Sequence, residues 1–189
     1  RDFAILGPGE GEQACGETGP GRMLEPEQLC QALRESFANG ELSGLRVLIT
    51  AGPTREAIDP VRSLSNRSSG KTGYAIAESA QAAGAAVTLI SGPVALGIPD
   101  GVHFIPVESA AQMFDAVMAH ASDCEIFIAT AAVADYRPAR IADQKIKKQS
   151  ASLNIQLEKT VDILAAVAGL DNAPFCVGFA AETEQLEKN

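Results

Sequence analysis

Short apolar runs alternate with amphipathic stretches from Leu45 onward, and this alternation predicts a series of β-α units. The apolar runs are typical of buried parallel strands, which we predict at Arg46–Thr50, Ala86–Ser91, Glu125–Ala129 and Phe175–Phe179. Apolar residues at helical spacing predict helices between them, at Thr72–Ala83, Ser109–His120 and Asp162–Ala168. We therefore expect an α/β fold, a Rossmann-like three-layer sandwich built around a mainly parallel sheet.

One internal segment and the two ends of the chain depart from this pattern. Leu153–Leu157 alternates apolar with polar residues, which is typical of a half-exposed strand. The first 27 residues are dense in turn formers, and Pro26–Ala38 then has the pattern of a short helix that ends at Asn39-Gly40. We expect residues 1–40 to be the end of a preceding domain, 41–44 a linker, and 45–189 a main domain that is incomplete at its carboxyl end.

Composition narrows the classes of partner. Hydrophobic residues make up 46% of the chain, yet no window approaches the ~18 uninterrupted apolar residues of a membrane helix. The sequence does not start with a charged-then-apolar signal peptide, so we expect a cytoplasmic protein without membrane contact. The formal charge of -9 disfavours nucleic acid as a partner, although Lys145, Lys147 and Lys148 can form a local pocket for a small anion. The 4 cysteines are far apart and lack a Cys-x-x-Cys pair, which argues against a zinc site or a disulfide framework.

The segment after the first predicted strand offers a candidate anion site. Ser68, Ser69 and Gly70 stand where a helix begins, and their amides together with the helix dipole favour a phosphate. The segment is not a Walker A loop, because that pattern needs glycine at the position of Ser65 and must follow its strand directly. From these residues alone, an ordinary serine cap on a structural helix is an equally good interpretation.

Three further candidates follow later strands. Asp135 lies in a loop after a strand, where parallel sheets bind ligands, and it can accept a ribose hydroxyl or help to hold Mg²⁺ near phosphates. Lys145 is the lysine of the 145–148 run that is nearest to Asp135, and it can stabilise charge at a reacting phosphorus. Phe179 can form the wall of a base pocket. The local alternatives are a turn cap for Asp135, a solvated face for Lys145 and a core phenylalanine for Phe179.

The glycine-rich start of the chain contains one misleading motif and one candidate thiol. Gly9–Ala14 fits the dinucleotide pattern G-x-G-x-x-A, but the glycines and proline that follow exclude the helix that this pattern requires. Cys15 lies in a glycine-rich loop near Arg22, where a thiol can serve as a proton donor or nucleophile. An inert, buried cysteine is the more common alternative.

Taken together and in order, the segments AGPTRE, DPVR, SNRSSGKTG, SGPV, AAVADYRP, KIKK and GFAAET resemble one enzyme family. This family is the bacterial bifunctional phosphopantothenoylcysteine decarboxylase and phosphopantothenate-cysteine ligase of coenzyme A biosynthesis. These segments are similar to its ligase half. ACGETGPGRM resembles the last active-site loop of its flavodoxin-like decarboxylase half, which uses FMN. Each motif alone is weak, whereas their colinearity is specific.

The resemblance implies that CTP and Mg²⁺ convert 4'-phosphopantothenate to an acyl-cytidylate, from which the amine of cysteine then displaces CMP. It implies that Asn66 acts in the acyl-cytidylate step, that Lys145 faces phosphates, that Asp135 contacts CTP, and that Cys15 is the decarboxylase proton donor. Asp135 is also our candidate carboxylate for Mg²⁺. The resemblance also implies a homo-oligomer formed through the ligase domain. The implied nucleotide contacts are Gly52, Ser68, Ser69, Gly70, Ala129, Thr130, Ala131, Asp135, Lys145, Thr160, Val161, Asp162, Ile163 and Phe179.

The sequence departs from the family pattern in three ways. Thr160-Val161-Asp162-Ile163 keeps only the second half of the family's Asn-Pro-Asp-Ile segment. The segment with two further nucleotide lysines, which the family carries downstream, is not in this sequence. The flavin-binding and histidine region of the decarboxylase is also absent, so we expect this polypeptide not to decarboxylate.

Two other functions are compatible with a Rossmann-like start. A nicotinamide-dependent reductase needs an acidic residue at the end of the second strand to bind ribose, where this sequence has Ser91-Gly92-Pro93. A non-catalytic nucleotide-binding fragment would bind CTP without turning it over.

Overall fold

The computed structural model describes residues 9–12, 18–22, 24–25, 28, 40–148 and 152–179. The chain forms two compact units, Arg1–Glu41 and Leu42–Asn189. In the first unit, β1 (Gly9–Glu12) pairs antiparallel with β2 (Thr18–Arg22). Cys15 and, apart from Gln28, the predicted helix at Pro26–Ala38 lie outside the described residues.

The second unit alternates strands and helices, as the apolar pattern predicts. Its helices are α1 (Lys71–Ala82), α2 (Ala110–Ala121) and α3 (Ile163–Ala168). Its strands are β3 (Arg46–Ala51), β4 (Arg55–Asp59), β5 (Arg62–Ser65), β6 (Ala86–Ser91), β7 (His103–Pro106), β8 (Ile126–Ala129), β9 (Tyr136–Pro138), β10 (Leu157–Lys159) and β11 (Phe175–Gly178).

The central sheet has five strands in the order β11-β8-β3-β6-β7, and all four pairings are parallel. This confirms the predicted α/β fold and its mainly parallel sheet. The pattern did not predict β7, an edge strand whose sequence HFIP is only partly buried and ends in proline. Edge strands tolerate proline, so the usual signal of a buried run is missing there.

The core lies on both faces of the sheet because successive residues of a strand point to opposite sides. Val47, Ile49 and Ala51 of β3 belong to the cluster on the α1 side. Leu48 belongs to the opposite cluster, together with Phe127 of β8 and apolar residues of α2 and α3. The two clusters make three layers, helix on sheet on helix.

Two antiparallel hairpin-like pairs stand outside the main sheet, β4 with β5 and β9 with β10. The strand predicted at Leu153–Leu157 is wrong in position, because the structure begins β10 only at Leu157. Residues 153–156 belong to no strand of the described residues, although the carbonyl of Gln156 accepts the amide of Ala139 at 2.9 Å, and Leu153 and Ile155 are exposed. Alternation alone does not produce a strand where most of the backbone lacks a paired neighbour.

Within the described part of the chain, no helix has both the length and the apolar character that a membrane span requires.

Candidate active site

A cleft of about 1030 Å³ opens at the carboxyl ends of β3, β8 and β11, where Thr50, Ala129 and Gly178 line it. After β3 the chain builds the sheet outward through β6 and β7, and then returns to add β8 and β11 on the other side. The strand order therefore reverses between β3 and β8. Open α/β sheets bind ligands at this kind of reversal.

The cleft brings together most of the residues that the sequence singles out. Residues from five separate segments line it, and the first and the last, Thr50 and Phe179, are 129 positions apart in the sequence. The predicted site residues that line the cleft are Asn66, Ser68, Ala129, Thr130, Ala131, Asp135, Thr160, Val161, Asp162, Ile163 and Phe179.

Asn66 is fixed by the loop that follows β8. Its Nδ2 donates to the backbone carbonyl of Val133 at 3.0 Å and to that of Ala132 at 3.4 Å. Because both partners are acceptors, the amide must present its nitrogen to them. The Oδ1 atom of Asn66 then has no hydrogen bond among the described residues, so the side chain offers an acceptor to a ligand.

The loop that carries Asp135 is held from two sides. The amide of Ala134 donates to the Oγ1 of Thr54 at 2.9 Å, and Thr54 is fully buried. On the other side, Thr160 donates its hydroxyl to the carbonyl of Ala134 at 2.6 Å and its amide to the carbonyl of Asp135 at 2.9 Å. These bonds fix the backbone while the Asp135 side chain stays exposed. Its carboxylate has neither an ion pair nor a hydrogen bond among the described residues, so it does not cap a turn there.

Phe179 follows β11, and the residue is 56% exposed. Its amide donates to the carbonyl of Ala129 at 3.1 Å, which continues the parallel pairing of β11 with β8. The alternative of a buried core phenylalanine is therefore wrong. An exposed ring at the rim of the cleft is available to stack on a base.

The start of α1 only partly faces the cleft. Its N-cap is Gly70, at φ 74°, and no side chain caps it, so the alternative of a serine cap is wrong. Ser68 lines the cleft, whereas Ser69 lines only a neighbouring pocket of about 520 Å³ with Arg55 and Lys71.

Gly52 and Gly70 do not line the cleft. Instead, they allow neighbouring backbone segments to pack closely. Gly52 is at φ 72°, where only glycine is relaxed, and a Cβ on it would lie 2.9 Å from the carbonyl oxygen of Gly92. A Cβ on Gly70 would lie 2.8 Å from the Cγ1 of Val94 and 3.4 Å from the Cα of Gly52. The two glycines let the turn after β3 approach the start of α1.

Lys145 is the predicted site residue that departs most from expectation, because it does not line the cleft. It is exposed and precedes Ile146, whose backbone binds the β4-β5 hairpin. Among the residues that the structure describes, the cations that line the cleft are Arg67 and Lys159, which the sequence reasoning missed. A signal was available: Arg67 lies between Asn66 and Ser68, and Lys159 directly precedes Thr160.

The carboxylates of the cleft suit a cation that is bound jointly by the protein and by the phosphates of a ligand. Among the described residues, no group of three or more His, Cys, Asp or Glu side chains could hold a metal ion. Mg²⁺ is commonly bound by one or two carboxylates together with substrate phosphates, and Asp135 supplies such a carboxylate. Asp162 is less free, because its Oδ1 accepts the amide of Ala165 at the start of α3.

Comparison with known proteins identifies the family. The sequence model of the DNA/pantothenate metabolism flavoprotein C-terminal domain matches residues 42–189. The chain belongs to this family. The matched region coincides with the second compact unit, which contains the whole cleft.

Curated relatives and solved structures agree with this family. The chain is 57% identical over 190 residues to the coenzyme A biosynthesis bifunctional protein CoaBC of Vibrio vulnificus (strain YJ016), with 99% of this chain and 47% of that protein covered. It is 50% identical over 193 residues to CoaBC of Escherichia coli (strain K12), with 100% of this chain and 48% of that protein covered. The chain thus spans about half the length of these relatives.

A crystal structure of the C-terminal domain of CoaBC matches this fold at a TM-score of 0.69 and 50% identity, covering 79% of this chain and 70% of that one. A DNA/pantothenate metabolism flavoprotein from Streptococcus pneumoniae matches at a TM-score of 0.62 and 25% identity, covering 70% of this chain and 68% of that one. Both likenesses bear out the Rossmann-like arrangement.

Proposed function

We propose that residues 42–189 form the ligase part of a coenzyme A biosynthesis enzyme, which joins 4'-phosphopantothenate to cysteine at the expense of CTP. One observation carries the proposal: Asn66, the carboxylate of Asp135 and the ring of Phe179 line one cleft at the reversal of strand order. The family and the printed names of the relatives support the same assignment.

The proposed reaction has two steps. The carboxylate of phosphopantothenate attacks the α-phosphorus of CTP, an O–P bond forms, and the α–β bridge breaks to release pyrophosphate. The amine of cysteine then attacks the acyl carbon, loses a proton and expels CMP, which leaves with the electron pair of the C–O bond. The acyl-cytidylate intermediate replaces one difficult displacement with two easier ones.

Each cleft residue has a role that follows from its surroundings. Phe179 provides an exposed ring against the base, and Asp135 provides an unpaired carboxylate for the ribose or for Mg²⁺. Asn66 offers its Oδ1 to a donor on the acyl-cytidylate, because its nitrogen is bound to the loop. Bound Mg²⁺ would neutralise phosphate charge. Arg67 and Lys159 extend this positive field along the cleft.

The remaining assignments extend beyond the described residues. We propose that the complete protein is cytoplasmic and forms homo-oligomers through the ligase domain. Its other half would decarboxylate the ligation product with FMN, and Cys15 would be the proton donor of that reaction.

Release of pyrophosphate tests the ligase assignment. The complete natural protein should release it from CTP when phosphopantothenate and cysteine are present. Asn66→Ala and Lys145→Gln should each lower the rate at least tenfold. Two matched controls should retain it: Asn172→Ala in the exposed turn before β11, and Arg140→Gln, an exposed cation outside the cleft lining. If Asn66→Ala and Lys145→Gln both match the controls, the assignment of these two residues is wrong.

Nucleotide binding separates the ligase from the two alternative functions. We expect CTP, and not NADPH, to saturate the cleft, because β6 ends in Ser91 and no acidic residue follows it to bind a nicotinamide ribose. Saturation by NADPH with no binding of CTP would favour a reductase. Binding of CTP without pyrophosphate release by the complete protein would favour a non-catalytic nucleotide-binding module.

A further inference from the structure

Asp59, at the end of β4, is a buried carboxylate with an unusual number of donors. The residue is 2% exposed. Its Oδ1 accepts the amides of Val61 and Arg62, each at 3.0 Å. Its Oδ2 accepts the Nε of Arg62 at 2.9 Å and also pairs with the Nη2 of the same side chain. These four bonds close the turn of the β4-β5 hairpin.

A fifth donor comes from a distant part of the chain. The amide of Ile146 donates to the Oδ2 of Asp59 at 3.0 Å across 87 positions of sequence. The Nη2 of Arg62 returns a bond to the carbonyl of Ile146 at 2.8 Å. Both backbone groups of Ile146 are therefore bound by one ion pair. A further bond, from the amide of Ala142 to the carbonyl of Ile58 at 3.0 Å, holds the segment upstream.

The lock acts on a segment of lysines. Ile146 is half-buried, whereas Lys145, Lys147 and Lys148 are exposed. Because the backbone of Ile146 is fixed, the Cα positions of the neighbouring lysines are restrained, whereas their side chains can still change rotamer. Residues 145–148 form a loop that has no strand or helix of its own. Because the lock bonds both backbone groups of one residue, it restrains the direction of the chain as well as its position.

We propose that Asp59 is a positioning residue that locks the lysine segment 145–148 to the β4-β5 hairpin, so that Lys145 is presented to the substrate phosphates from a fixed backbone. The assignment rests on the proposed ligase function and on the phosphate-facing role that the family resemblance implies for Lys145, which does not itself line the cleft here. Asp59 itself is buried behind Arg62 and does not line the cleft. Its effect on the reaction is therefore exerted through the segment.

Only a carboxylate satisfies this arrangement. Every group around Asp59 is a donor, so an asparagine would turn its own N–H groups towards at least one of them. The hydrogen bond from the Arg62 guanidinium is the largest influence on the pKa of Asp59 and holds it well below its usual range. The carboxylate consequently stays ionised, and the lock stays closed, across the pH range in which the enzyme would work.

Two variants separate the lock from the fold. Asp59→Asn removes the charge that organises the hairpin and the segment together. Ile146→Pro removes the long-range donor and also restricts the backbone of residues 145 and 146, but it leaves Asp59, Arg62 and their mutual bonds intact. Glu125→Gln is the matched control, because Glu125 also pairs with an arginine and accepts a backbone amide, but it lies at the amino edge of β8.

Hydrogen exchange of the peptide covering residues 141–148 reports on the lock directly. In the complete natural protein, Asp59→Asn should exchange these amides at least tenfold faster than the wild type, and Ile146→Pro should do the same for the amides that it retains, while Glu125→Gln leaves them unchanged. Pyrophosphate release from CTP should lose at least tenfold in kcat in both variants, with KM for CTP within twofold, because the cleft itself is intact. A merely structural role would not produce this split between kcat and KM.

The two proposals fail in different ways. Unchanged exchange in Ile146→Pro would overturn the lock, whatever the enzyme does. Faster exchange with unchanged kcat would show that the segment does not need the lock, which would overturn the positioning role. If the wild-type protein releases no pyrophosphate, the ligase function is wrong. If the segment nevertheless exchanges faster in the variants, Asp59 still holds the segment.

Discussion

The hydroxyl of Thr160 donates a hydrogen bond of 2.6 Å to the backbone carbonyl of Ala134. This bond joins the end of β10 to the loop that carries Asp135, across 26 positions of sequence. The family resemblance implies an asparagine at this position, where this sequence has threonine. The structure gives the threonine a defined task, which is to hold the loop that forms one wall of the cleft.

Replacing Thr160 with valine should therefore loosen this wall. Valine has the shape of threonine without the hydroxyl, so the change removes the bond to Ala134 and little else. We expect a loss of about 1 kcal/mol in the free energy of unfolding and a several-fold weaker affinity for CTP. Urea unfolding and CTP titration measure the two effects. Thr160→Ser keeps the hydroxyl and should retain both properties, so equal losses in the two variants would refute the role of the bond.

Lys159 should contribute to nucleotide affinity, although it lies outside the motifs that resemble the family. It lines the cleft, is exposed, and forms no ion pair with any described residue. Hydrogen bonds to charged groups contribute about 1.5–3 kcal/mol, so Lys159→Gln should weaken CTP binding by about tenfold or more. Isothermal titration at low and high salt measures this, and the loss should shrink at high salt. Arg140→Gln is the control, and an equal loss there would indicate a general charge effect.

Gly73 should resist even the smallest substitution. It lies in the first turn of α1, where alanine would ordinarily stabilise a helix by about 1 kcal/mol. A Cβ at this position would overlap the Oγ1 of Thr130 and lie 2.5 Å from the Cβ and 3.3 Å from the Cα of Ala51. We expect Gly73→Ala to destabilise the fold by about 1–3 kcal/mol instead.

The same change should also disturb the cleft, because Thr130 lines it and donates to the carbonyl of Thr50 at 2.6 Å. Thermal unfolding and CTP titration of the Gly73→Ala variant measure the two losses. Gly97→Ala is the control, since a Cβ there meets nothing within 4 Å. A more stable Gly73→Ala protein would contradict the packing of α1 on β3.

Acid should weaken the pair formed by Arg46 and Glu125. Hydrogen bonds from the side chain and the backbone of Arg46 lower the pKa of Glu125 to about 2. A carboxylate with a lowered pKa stabilises the folded state fully above its ordinary value of ~4.3 and loses this contribution as the pH falls below that value.

Glu125→Gln should therefore reduce the difference in urea midpoint between pH 7 and pH 3. Both partners are substantially exposed, with side chains 56% and 40% accessible, so salt should diminish the effect. Asp59 will retain part of the acid sensitivity, because its pKa is lowered as well. An identical pH dependence in the wild type and the variant would show that the pair is not formed in solution.

The buried framework and the identity of most of the cleft residues follow from local patterns in the chain. Val47, Leu48 and Ile49 mark a strand buried on both faces, and the capping box of Ser109 with Gln112 begins α2 where the pattern predicts it. Such signals are local: they depend on which face of one strand or helix is apolar, and on one cap. The motifs that resemble a known family are also local, because each is a contiguous run of residues.

Only the tertiary structure decided which residues converge. The strand order places the loops after β3 and β8 side by side, and the bond from Ala134 to Thr54 then joins them across 80 positions. It also brought Lys159 to the cleft and tied the segment of Lys145 to Asp59. Hydrogen bonds and close approaches between distant segments leave no periodicity in the sequence, because each depends on the register and order of strands that neither segment encodes alone.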